Sequence, residues 1–69
     1  MKFSPSKFAR YLVRQSKANG LSNRQAAAQI GISAATYNRL VNEKFLPDIN
    51  TYAACCLWLD CEMGHFFTR

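Results

Sequence analysis

The segment from Leu21 to Asn42 constrains this chain more than any other. It reads Leu-Ser-Asn-Arg-Gln-Ala-Ala-Ala-Gln-Ile-Gly-Ile-Ser-Ala-Ala-Thr-Tyr-Asn-Arg-Leu-Val-Asn. Ser22 followed by Gln25 fits a capping box, which starts a helix. Ala26, Ala27 and Ala28 favour that helix and let another approach closely. Gly31 permits the positive φ of a tight turn. Ser33 then caps a second helix. Tyr37, Leu40 and Val41 share its inner face, while Ala35, Asn38, Arg39 and Asn42 fall on the outer face at i, i+3, i+4 and i+7. Two short helices joined by a glycine turn leave one helix face free to enter a major groove.

The flanking punctuation predicts three further helices. Ser4-Pro5 starts the first, and Asn19-Gly20 ends it as a left-handed pair. Its inner side carries Phe8, Ala9, Leu12, Val13 and Ser16. Its outer side carries Lys7, Arg10, Arg14 and Lys17, a basic stripe that a DNA backbone would flank. Residues 43–47 form a loop, and Asp48 caps a fourth helix. Ile49, Tyr52, Ala53, Cys56 and Leu59 make the inner stripe of that helix. After a turn at Asp60–Glu62, Met63–Phe67 forms a short last helix. The expectation is an all-α, compact five-helix bundle, one domain over 1–69 with its motif at about 22–42.

Charge narrows the function. The first 42 residues hold seven bases and no acid; the remainder hold two bases and four acids. A one-signed stretch of this kind suits a polyanionic partner. Sixty-nine residues make one small domain, too small for a large catalytic cleft. The single His and four scattered acids offer no catalytic set, and no Gly-rich phosphate loop is present, so no enzyme is expected. Three cysteines, an odd number, suit a reduced compartment better than a disulfide framework. Cys56, Cys61 and His65 match no common zinc spacing, so buried free thiols are expected and no metal or other cofactor. The longest apolar run, Tyr52–Leu59, falls short of the roughly 18 residues a membrane span needs. The first residues lack the apolar core of a signal peptide. Together these point to a cytoplasmic protein with no membrane partner and no small-molecule ligand.

The same residues resemble a known family. Leu21-Ser22, Ala27, Ile30-Gly31-Ile32-Ser33, Thr36, Arg39-Leu40, Asn42, Pro47-Asp48, Leu59 and Cys61 are similar to the lambda-repressor-like, Cro-type helix-turn-helix domain (the xenobiotic-response-element class) of phages and bacteria. The likeness runs over residues 4–67. Tyr37 stands where the family usually has a β-branched aliphatic, Ala26 where it has Leu, and Val41 where an acid is often found. Glu43 and Asp60 stand where Gly is common.

The resemblance implies a bacterial or phage-encoded regulator that binds a pseudo-palindromic operator as a homodimer, of the Cro-like or autoregulatory repressor kind. By position it assigns base reading to Ser33, Ala34, Ala35, Asn38 and Arg39. Arg suits a guanine edge, Asn an adenine edge, and the alanines a thymine methyl. Phosphate contacts fall to Ser22, Asn23, Arg24, Thr36, Asn42 and Lys44. Leu57, Trp58, Phe66 and Phe67 are the expected dimer patch, with Trp58 as an exposed anchor. Two rivals stand beside this reading. One is a protein-interaction module, an antirepressor or inhibitor that keeps the fold without specific DNA binding. The other is an architectural binder that reads charge alone.

Overall fold

A computed structural model describes residues 2–68. Four α-helices are present: α1 (Pro5–Ala18), α2 (Asn23–Ile30), α3 (Ala34–Glu43) and α4 (Ile49–Leu59). The capping chemistry places the first three. Ser4 accepts from the Lys7 amide, Ser33 accepts from the Thr36 amide, and Ser22 and Gln25 close a reciprocal capping box. Asp48 holds the N-cap position of α4 through its extended backbone and makes no side-chain cap bond.

The expected fifth helix is replaced by two smaller elements. Met63–Phe66 is a single 3₁₀ turn, and Phe67–Thr68 is a strand, β2, paired antiparallel with β1 (Lys2–Phe3). The register sets Phe3 opposite Phe67 and Lys2 opposite Thr68. Ser4 N also donates to the Phe66 carbonyl at 2.8 Å. The physical reason is aromatic. Phe3 lies 5.3 Å from Phe67 and 5.7 Å from Phe8, centroid to centroid, and Phe66 lies 5.1 Å from both Phe8 and Tyr11. An extended Phe67 reaches Phe3, and such pairs add about 0.5–1.5 kcal/mol each beyond area burial. The all-α class therefore stands with four helices rather than five, and a two-residue strand pair joins Lys2–Phe3 to Phe67–Thr68.

One core joins α1, α2, α3, α4 and the last turn. Phe8, Leu12, Ala26, Tyr37, Leu40, Cys55 and Phe66 are its best-buried members. Tyr37 carries a hydroxyl into it. That hydroxyl lies 2.6 Å from Ser16 Oγ and 3.2 Å from the Leu12 carbonyl, and Ser16 Oγ lies 2.9 Å from the same carbonyl. Burial pushes the Tyr37 phenol up, opposed by its bond to Ser16. Two departures from the family also meet here with opposite volume changes. Ala26 is smaller than the usual Leu and Tyr37 larger than the usual aliphatic, and both are fully buried in one cluster. Close packing makes such compensation favourable.

Two details of the helices differ from expectation. In the pair that ends α1 only Gly20 is left-handed, with φ 64, while Asn19 has φ −100. The buried face of α4 is Tyr52, Cys55 and Cys56, and Ile49 is 67% exposed. α4 packs against α1, α2 and the 3₁₀ turn, which rotates its buried face onto Cys55. Ile49 lies at the rim of an open groove, with Leu46 and Met63. Among the described residues no helix is long and apolar enough to cross a membrane.

Candidate nucleic-acid interface

The presentation of α3 begins at the turn. Gly31 has φ 93, and the amides of Gly31 and Ile32 both close on the Ala27 carbonyl, at 2.9 and 3.0 Å. A side chain at that φ is strained, so glycine is required by conformation rather than by space. Ala26 and Ala27 are buried where α2 meets α3. Tyr37 and Leu40 anchor the inner face of α3 in the core.

The outer face is the one read from spacing. Ala35, Asn38, Arg39 and Asn42 are exposed, as is Ser33 at the cap. Ala34 differs: it is half-buried and packs against the core, so its methyl is not free in the way that of Ala35 is. Ser22, Asn23, Arg24 and Lys44 are exposed and Thr36 is half-buried.

Hydrogen bonds tie these residues into one surface. Asn23 Nδ2 donates to Asn38 Oδ1 at 2.9 Å, joining the first turn of α2 to the middle of α3. Asn38 keeps its own NH₂ and a second lone pair, the donor and acceptor that an adenine edge requires. Ser33 Oγ accepts from the Thr36 amide and donates to Thr36 Oγ1 at 2.8 Å. In α2 the amide of Ser22 is taken by Gln25 Oε1, and that of Gln25 by Ser22 Oγ. The amides of Asn23 and Arg24 are then the ones helix geometry leaves without intrahelical partners, a natural seat for an anionic oxygen.

Arg39 brings in two residues that sequence reasoning missed. Its Nε donates to Glu43 Oε2 at 3.3 Å, and its guanidinium sits 5.1 Å from the Phe45 ring centroid. The ion pair is exposed on both sides and worth little energetically. Its effect is on orientation, since it occupies the Nε side of the fork and leaves both terminal nitrogens for a guanine edge. The i, i+4 spacing of Arg39 and Glu43 was the available signal. Glu43 is not the left-handed residue that ends α3. Lys44 is, with φ 56. Asp60, at the other position where Gly is common, does adopt φ 57.

The four residues of the expected dimer patch differ in exposure. Phe66 is a correction: it is fully buried, because the 3₁₀ turn folds it between Phe8 and Tyr11. Trp58 is half-buried and its indole N–H donates to Gln29 Oε1 at 3.1 Å. Phe67 is half-buried against Phe3. Leu57 stands out at 82% exposed. The other large exposed apolar side chains among the described residues are Leu46, Ile49 and Met63, and all three border one groove that Tyr52 and Phe67 also line. Cys56 is buried, and burial pushes its thiol up. Among the described residues no three metal-ligating side chains cluster.

A glycine-turned helix pair, α3 anchored by its inner face and offering a polar outer face that carries Arg39, defines a helix-turn-helix DNA-binding domain. The helix-turn-helix family model matches residues 11–65, and the chain belongs to that lambda-repressor/Cro-like family of DNA-binding regulators. The strand pair lies outside the matched residues. Comparison with curated proteins and with solved structures gives no match.

Proposed function

We propose that the protein is a sequence-specific transcriptional regulator of the Cro-like or autoregulatory repressor kind, which seats α3 in the major groove of an operator and occludes a promoter. The observation that carries this reading is the Asn23–Asn38 bond, which joins the phosphate-seeking start of α2 to an exposed base-reading side chain of α3. Arg39 reads guanine through its terminal nitrogens, Asn38 reads adenine, and Ser33 and Ala35 contact the flanking bases, with Ala34 beside them. Ser22, Asn23, Arg24, Thr36, Asn42 and Lys44 hold the phosphates. With so few hydrogen-bonding readers, sequence-dependent DNA shape supplies part of the specificity.

Two copies bind a pseudo-palindromic site, since one small module alone contacts few bases and half-sites one helical turn apart add affinity. The apolar rim of Leu46, Ile49 and Met63 supports a pairing surface at that groove. Selection of bound duplexes from a random DNA pool at near-physiological salt tests this. The reading expects an enriched inverted repeat. Retention without enrichment would mean a charge-driven architectural binder, and no retention would end the DNA-binding reading.

A further inference from the structure

The basic stripe of α1 is divided by the fold. Lys7 Nζ donates to the His65 carbonyl at 3.4 Å, which draws it toward the C-terminal turn. Arg10, Arg14 and Lys17 instead line an open groove between α1 and α3, with Lys44 on the far side. The floor between these cations is apolar, Ala9, Val13 and Val41, with exposed Ser6 and Ala18 at its edges. None of the chain's four acids lines it. The nearest in sequence, Glu43, is held by Arg39.

The two properties together select an occupant. A nucleic-acid backbone would answer the charges but leave the apolar floor uncovered. A purely apolar helix would cover the floor but leave four cations without counter-charges. An amphipathic helix with one apolar row flanked by acids answers both. Arg10, Arg14 and Lys17 follow i, i+4, i+7 and so span about 10 Å of axis, near two turns of a partner helix. A second copy of this chain does not fit. Its Asp48 and Asp60 stand at opposite ends of α4, and no helix carries a row of acids.

We propose that the α1–α3 groove docks an acidic amphipathic helix of another protein. The proposal uses a different face of α3 from the DNA-binding reading and shares only Lys44 with it.

The test is an NMR titration of the ¹⁵N-labelled full chain with a synthetic amphipathic peptide of about four helical turns, Leu and Ala on one row and Glu beside it. The control peptide has every Glu replaced by Gln. Saturable shifts centred on Ala9, Val13 and Val41, lost with the control, are expected. Arg10→Gln combined with Arg14→Gln should weaken binding roughly two- to thirtyfold, the sum of two exposed ion pairs. Several results would overturn the proposal: no saturable shifts with wild-type protein, equal binding of the Gln peptide, or shifts centred on Leu46, Ile49 and Met63 instead. So would the same floor amides responding equally to a short random-sequence DNA duplex, or to concentration of the protein alone. Because the wild-type titration decides the matter, misfolding of a variant does not obscure it.

Discussion

The Tyr37 hydroxyl lies 2.6 Å from Ser16 Oγ, and both oxygens approach the Leu12 carbonyl. Two hydroxyl protons thus serve three close contacts, one of them inside α1 and two between α1 and α3. The bond ties the inner face of α3, opposite Asn38 and Arg39, to α1. Tyr37→Phe leaves Ser16 its bond to Leu12 and removes only the cross-helix contacts. The expected loss is about 1 kcal/mol, a fall in Tm of about 4–8 °C for a domain of this size. Thermal unfolding by circular dichroism measures it. An unchanged Tm would mean that the contact is energetically idle.

High pH should unfold the protein through its buried thiols and phenols. Burial pushes Cys55 up from 9.0 to about 12, and pushes Cys56, Tyr37 and Tyr52 up as well. For each group the folded state binds its proton more tightly than the unfolded chain. The associated stability is fully present below the unfolded pKa and is lost as pH rises through the folded one. For Cys55 the window is pH 9 to about 12. Urea midpoints measured across that range should fall steadily, and fall less in Cys55→Ala after allowance for its lower starting stability. A flat profile would contradict the burial of these groups.

The backbone turns make opposite predictions at two positions. Gly31→Ala meets no atom within 4 Å, so its cost comes from φ 93 alone, about 1–2 kcal/mol for a residue forced left-handed. Asp60→Gly removes the same kind of strain at φ 57 and should stabilise the chain. Denaturant unfolding of the pair checks both signs at once.

Much of this fold was legible because its signals are local. Ser4, Ser22 and Ser33 mark helix starts within three residues of the groups they cap, and Gly31 marks its own turn. The outer face of α3 followed from a period of 3.6. The misreadings all depend on distant partners. Phe67 reads as helix until Phe3, at the other end of the chain, is set beside it. Ile49 reads as core until the buried face of α4 is seen to be Tyr52, Cys55 and Cys56. Phe66 and Trp58 read as surface until Phe8, Tyr11 and Gln29 cover them. The Asn23–Asn38 bond joins helices whose crossing geometry no spacing encodes.

Self-association should follow the exposed apolar rim rather than the expected patch. Ile49→Glu is expected to abolish any dimer seen by analytical ultracentrifugation in the presence of an operator duplex, because Ile49 borders the groove with Leu46 and Met63. Leu57→Glu should leave the dimer intact. The reverse pattern would move the interface to the Leu57 side of α4.

The central claim is that α3 reads DNA bases through a positioned Arg39. The most direct measurement compares wild type with Arg39→Ala on two duplexes at fixed salt, the one enriched by selection and a scrambled one of equal length. The account predicts that Arg39→Ala binds the enriched duplex more weakly by about 1–3 kcal/mol, roughly 5- to 150-fold, while its affinity for the scrambled duplex changes little. Equal losses on both duplexes would reduce Arg39 to a phosphate contact. No loss on either would contradict the assignment of α3 as the reading helix.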